Sequence, residues 1–241
     1  MLAALAVEVR KLNRSLAVVL ALAAPTLIAV FGFFMALRGP KAAPWDMWMA
    51  NASGVWAFFM LPMSVTALTA LVAHMEHGPR SWDHLRALPL PRWRIYAAKA
   101  VAVLALVAVM SAGVLALAWV AISLAGVIKP SVMPTGAFHI AAYARVMAMM
   151  FGAGLLLVAI QLWVALRFAS FVPALSLGIG GTFFSVVATS ARAGVFLPWQ
   201  MPVNMLASEP WRVNTALALG SVGGVIALVL MLIHLSRREV L

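Results

Sequence analysis

Along most of this chain apolar residues do not alternate with polar ones; they run in blocks. Six stretches contain no Asp, Glu, Lys or Arg: Ser15–Leu37, Gly54–Ala73, Ala100–Ile128, Val146–Leu166, Ser170–Ala191 and Val213–Ile233. A helix crossing a hydrocarbon core of about 30 Å needs about 20 such residues. The pattern therefore predicts an all-α polytopic membrane protein with six transmembrane helices, forming one transmembrane domain over residues 1–241. The third block is long enough to tilt or to run past the bilayer surface.

Met1–Arg14 reads differently. Leu5, Val9 and Leu12 recur at i, i+4 and i+7, while Glu8, Arg10, Lys11 and Arg14 fall elsewhere around the helix. This predicts a short amphipathic helix lying in the inner membrane interface. A plain cytoplasmic extension of the first span is the alternative. Ser15–Leu37 exceeds the apolar core of about 7–15 residues expected of a cleaved signal peptide, so it is read as a retained span.

The segments between blocks are short. Arg38–Ser53 is rich in Pro and Trp, and Lys129–Arg145 carries Pro130, Pro134 and Gly136, with His139–Arg145 able to start the fourth helix early. A few residues around Arg167 join spans four and five, and Arg192–Arg212 holds Pro198, Pro202 and Pro210. None of these is large enough for a catalytic domain. Pro25, Pro62 and Pro173 fall within the blocks, as hinges or as tolerated kinks. The pairs Gly152/Gly154, Gly178/Gly181 and Gly220/Gly224 allow close helix approach, either inside one subunit or between subunits.

Composition sharpens this picture. Of 241 residues, 65% are hydrophobic and 10% charged, against about 25% charged in soluble domains. There is no cysteine, which excludes disulfides and thiolate metal sites. The net charge of +11 is scattered between apolar blocks rather than gathered on one face. Topology and anionic lipid explain it better than nucleic acid. With the N-terminus inside, Arg38, Lys41, Lys129, Arg145, Arg192 and Arg212 lie outside, and the other eleven of the 17 basic residues lie inside. The bias places both termini in the cytoplasm. Trp45, Trp48, Trp199 and Trp211 then fall at the outer headgroup level.

Missing chemistry narrows function further. None of the six blocks contains a charged residue, although ion-coupled carriers and intramembrane enzymes need titratable groups there. The acids Glu8, Asp46, Glu76, Asp83, Glu209 and Glu239 all lie outside the blocks. His74, His77 and His84 belong to a polar segment rather than to a metal site. The cluster Gly178–Thr182 lacks the lysine of a phosphate-binding loop. No cofactor is expected on this chain, and ATP is not hydrolysed by it.

The largest hydrophilic segment, Met75–Lys99, carries the strongest signal. Ser81 through Leu88 can form a short helix, with Trp82, Leu85 and Leu88 on one face and Pro89 and Pro91 stopping it. Such a helix suits a partner's groove, or else rests on lipid. The order Glu76–x–Gly78, then Leu85, Leu88–Pro89, Arg92, Ile95–Tyr96 and Lys99 resembles the cytoplasmic loop of type-2 ABC (ATP-binding cassette) exporter permeases. The six-span layout with an interfacial N-terminal helix is similar to that family as well. Leu197-Pro198-Trp199-Gln200-Met201-Pro202 resembles an element of the permeases associated with lantibiotic immunity.

The resemblance implies a permease subunit in a bacterial cytoplasmic membrane. A second permease, identical or paralogous, would complete the path, and separate ATPase subunits would carry ATP and Mg. Glu76, Gly78, Trp82, Leu85, Arg86, Leu88, Pro89, Arg92 and Lys99 would couple to the ATPase. Trp56, Phe59, Ser64, Gln161 and Trp163, with Thr66 and Thr69 nearby, are candidates for the path of a hydrophobic or amphipathic peptide or lipid-like substrate; core packing is the competing explanation for the aromatics. A non-transporting membrane anchor that uses the same loop is the alternative function.

Overall fold

The computed structural model describes residues 2–13, 15–77 and 91–237. Every regular element among them is helical. Helix α1 is Leu2–Leu12 and α2 is Leu16–Arg38; α3 (Trp45–Val55) runs through a π-turn at Trp56–Met60 into α4 (Leu61–His77). Helix α5 is Arg92–Ile128, α6 is Ile140–Ala153, α7 is Leu155–Arg167 and α8 is Val172–Val187. Helix α9 (Pro210–Ala218) continues through a second π-turn, Leu219–Gly223, into α10 (Gly224–Arg237).

Four of these stretches are long and apolar enough to cross a membrane: Leu16–Arg38, Trp45–His77, Arg92–Ile128 and Pro210–Arg237. The α6–α7 pair makes a fifth if its 40° bend is counted within one span. With 16 residues, α8 reaches about 24 Å, short of the hydrocarbon core of about 30 Å. Beyond it the chain turns through short 3-10 segments, and Val195, Trp199, Met201 and Met205 are buried there.

The helices outrun the apolar blocks. The chain from Arg38 to Ser53 is not all loop: α3 starts at Trp45, with Asp46 in its first turn, where a carboxylate complements the helix dipole. Helix α4 continues through Glu76, and α5 begins at Arg92, so both roots of the Met75–Lys99 segment are helical. Helix α6 starts at Ile140, within the early start that His139–Arg145 allows.

Proline effects divide by position. Pro62 has no N–H and its ring crowds the carbonyl four residues back; the chain answers with the π-turn just before it. Pro25 is buried in α2 and packs against Gly113 of α5. Pro173 lies in the first turn of α8, not in a helix interior, where a missing N–H costs nothing.

The end of the bundle between α2 and α3 is stitched together. Thr135 N donates to Ala43 O and Trp45 N donates to Thr135 O, both at 3.1 Å. Lys129 Nζ donates to Leu37 O and Gly39 O, each at 2.9 Å, closing the carbonyl end of α2 as a cation should. Helices α2 and α5 form the broadest pairing in the bundle.

The glycines of the last span serve packing within this chain. A methyl at Gly220 would meet the backbone of Ala153, and one at Gly224 would meet Leu155 and Leu156. Gly178 fits against Thr66 and Gln161, and Gly181 against the Trp199 ring. By contrast, Gly180 faces nothing within 4 Å. A helical Gly→Ala change gains about 0.5–1 kcal/mol where space allows, whereas overpacking costs about 1–3 kcal/mol. Gly224→Ala is therefore expected to lower the melting temperature of the detergent-purified protein, while Gly180→Ala leaves it unchanged or raises it.

Candidate functional site

At one end of the bundle, three helices converge on a lysine with no exposed surface. Lys99 lies two turns into α5 and is fully buried. Its ammonium donates to Glu76 Oε1 at 2.7 Å and to Glu8 Oε2 and Oε1 at 3.0 and 3.1 Å. Glu76 belongs to the last turn of α4 and Glu8 to the middle of α1; both are buried. A second cation, Lys11, donates to Glu76 Oε1 at 2.6 Å and lies 3.5 Å from Glu8.

The local sequence explains the arrangement. Glu8 occupies the inward face of α1 with Leu5 and Leu12, at i, i+3 and i+7. Val9, on the apolar side expected to lie in the membrane interface, is 54% exposed. Ser15 accepts from Ala17 N at 3.2 Å and starts α2 directly after α1, which holds α1 against the base of the bundle.

Among the described residues, two carboxylates and two ammoniums meet here, so their charges balance. That balance matters because an ion loses several kcal/mol of solvation on burial, and only close opposite charges and hydrogen bonds offset that cost. Burial pushes the Lys11 ammonium's pKa down, but the Glu76 hydrogen bond and the charges of Glu8 and Glu76 outweigh it, so the net movement is above 10.5. A raised lysine stabilises the fold fully below its unfolded value and loses that contribution as pH rises through the folded value. The hold of Lys11 on α1 thus persists through the neutral and mildly alkaline range.

The sequence placed Glu76 and Lys99 at opposite roots of one hydrophilic segment; the structure brings them into contact. Glu8 and Lys11 were not among the expected site residues. The signal that marks Glu8 is a carboxylate at the i+3 position between Leu5 and Leu12. Arg92 opens α5 but is exposed and stands outside the cluster. Gly78, Trp82, Leu85, Arg86, Leu88 and Pro89 lie outside the described residues.

The residues considered for a substrate path do not share one cavity. Trp56 and Ser64 are buried in the core. Gln161 is buried beside Thr66, with Oγ1 at 3.3 Å. With its amide oriented to satisfy both atoms, it donates to Ala174 O at 3.2 Å and accepts from Gly178 N at 3.0 Å. Its polar atoms are thus engaged in joining α4, α7 and α8. Thr66 and Thr69 donate to the backbone carbonyls of Pro62 and Val65 within α4. Phe59 faces outward, edge-on to Phe183, and Trp163 packs edge-on to His234 in a groove between α7 and α10. A separate apolar hollow of about 250 Å³ lies between α2, α3 and α5, lined by Ile28, Gly32, Met35, Trp48 and Ile122, with Asn51 supplying an amide.

The cluster predicts a specific mutational pattern. Lys99→Met removes the buried cation between two buried carboxylates, and is expected to cost about 3–5 kcal/mol. Combining it with Glu76→Gln recovers a large part of that loss. A double-mutant cycle read by thermal unfolding in detergent measures the coupling; strict additivity would contradict the geometry.

The family model for the ABC-2 family transporter protein matches residues 4–187. That is more than half of the chain, so the protein belongs to this family of multi-pass transport subunits. No curated protein and no solved structure matches it.

Proposed function

We propose that this ABC-2 family chain is the permease subunit of an ATP-driven exporter, worked by a separate ATPase through the segment between α4 and α5. The observation that carries the reading is the Glu76–Lys99 contact at 2.7 Å. It closes the two roots of that segment on one buried point, and Glu8 ties the N-terminal helix to the same point at 3.0 Å. A displacement applied to the segment meets a braced support rather than two loose helix ends. Force then passes to α4 and α5, both of which run into the apolar core.

In this reading the chain crosses the membrane six times, with α6–α7 as one bent span and α8 as a short one, and both termini face the cytoplasm. The positive-inside bias supports that orientation. The ATPase binds ATP and Mg, and docks on Trp82, Leu85 and Leu88, with Gly78, Arg86, Pro89 and Arg92 flanking that face. A second permease, a copy or a paralogue, completes the path. A predominantly apolar interior suits a hydrophobic or amphipathic cargo, such as a peptide, a lantibiotic or a lipid-like molecule. The element Leu197–Pro202 favours the lantibiotic-immunity type, in a bacterial cytoplasmic membrane. Trp56, Phe59, Ser64, Gln161 and Trp163 line or support that path in a conformation other than this packed one.

The test is co-purification of this chain with the separate ATPase subunit of the proposed exporter. Leu85→Asp places a charge on the docking face. It is expected to reduce retained ATPase at least about tenfold, the effect of 1.4 kcal/mol, with the variant still inserted in the membrane. Retained binding together with undiminished cargo-stimulated ATP turnover would exclude this docking face.

A further inference from the structure

Beside the charge cluster, a groove of about 350 Å³ runs between α1 and α5. Val9, Arg10 and Asn13 form one wall, and Ala102, Ala105 and Val109 form much of the other. Ala102 and Ala105 are three residues apart on one face of α5, and their small side chains leave the hollow. Val9 is 54% and Val109 62% exposed. In a membrane-embedded chain, such valines face acyl chains rather than water.

The polar edge of the groove is basic. Glu8 and Glu76 are engaged by Lys11 and Lys99. Arg10 is exposed and makes no ion pair among the described residues. An apolar slot roofed by an amphipathic helix, with an unneutralised guanidinium at its rim, has the complement of one molecule type. A phospholipid supplies both an apolar chain and an anionic headgroup, and a guanidinium pairs with phosphate through parallel hydrogen bonds. A soluble anion would leave the slot unused, and in a zwitterionic lipid the headgroup cation offsets the phosphate charge that Arg10 pairs with.

We propose that the α1–α5 groove binds one anionic phospholipid, its acyl chain along Ala102 and Ala105 and its phosphate at Arg10. The proposal rests on the reading of α1 as an interfacial helix and is independent of ATPase docking. A bound lipid would fill the space between α1 and α5 beside the ion cluster.

Native mass spectrometry of the purified full chain tests it, with phosphatidylglycerol and phosphatidylcholine of identical acyl chains offered in equal amounts. One phosphatidylglycerol is expected to be retained in preference to phosphatidylcholine. Arg10→Gln should reduce that preference about fivefold, the effect of one basic residue near an anionic surface. Ala105→Trp should fill the slot and remove retention of both lipids. Arg10 is exposed, so its variant decides the matter even where Ala105→Trp fails to fold. Equal retention of the two lipids, or a preference unmoved by Arg10→Gln, overturns the proposal. Displacement of the lipid by glycerol phosphate would assign the site to a soluble anion, and loss of a dimer in Ala105→Trp would assign the groove to a second copy; either also overturns it.

Discussion

A lysine ammonium removed wholly from water must be matched by carboxylates in contact with it, or its desolvation is not offset. At Lys99 that requirement is met by Glu76 from α4 and Glu8 from α1, two residues with no sequence relation to each other. Lys11 supplies a second cation, paired with both carboxylates. The positions of three helix segments follow from this one electrostatic condition. Helix α1 cannot lift away without exposing Glu8 and stranding Lys99. The ends of α4 and α5 cannot separate without the same penalty. A hydrophobic contact of equal area would let the elements slide, because it has no fixed partner; hydrogen-bonded charges set a register.

Under the proposed function, this brace is the point at which a chain made almost wholly of membrane helices takes up work from the ATPase. Helices α4 and α5 have 17 and 37 residues, the second reaching about 55 Å. Joined near one end, they act as a pair. Elsewhere the bundle has yielding places: the π-turns at Trp56–Met60 and Leu219–Gly223 and the 40° bend between α6 and α7. The bend and the second π-turn are neighbours, packed through Gly220 and Gly224 against Ala153 and Leu155. Stiffness near the cluster and irregularity along the other spans suit a subunit that turns a push at one end into a change of packing within the membrane.

Much of the fold was legible because hydrocarbon thickness sets helix length. Long charge-free blocks mark Leu16–Arg38, the cores of Trp45–His77 and Arg92–Ile128, and the last span. Helix ends were legible only in part. A charge-free block ends at the first charged residue, whereas a helix ends where backbone hydrogen bonds end, so α4 carries Glu76 inward and α5 includes Arg92–Lys99. Pro173 looked internal because the apolar block began before the helix did. The loop pattern singled out Glu76 and Lys99 as candidates. Their contact, and the part played by Glu8, were not readable, because periodicity assigns faces but not partners 91 residues apart. Gln161 stood out as a deep amide, yet the amide is engaged by Ala174 and Gly178, which only tertiary packing reveals.

The account turns on which side of the membrane the braced end occupies, since an ATPase can push only from the cytoplasm. The chain has no cysteine, so single cysteines can be introduced without background. A membrane-impermeant maleimide applied to intact cells should leave a cysteine at Ser81 unlabelled until the cells are opened, and should label one at Lys41 at once. Labelling of the Ser81 variant in intact cells, with Lys41 protected, would contradict the account.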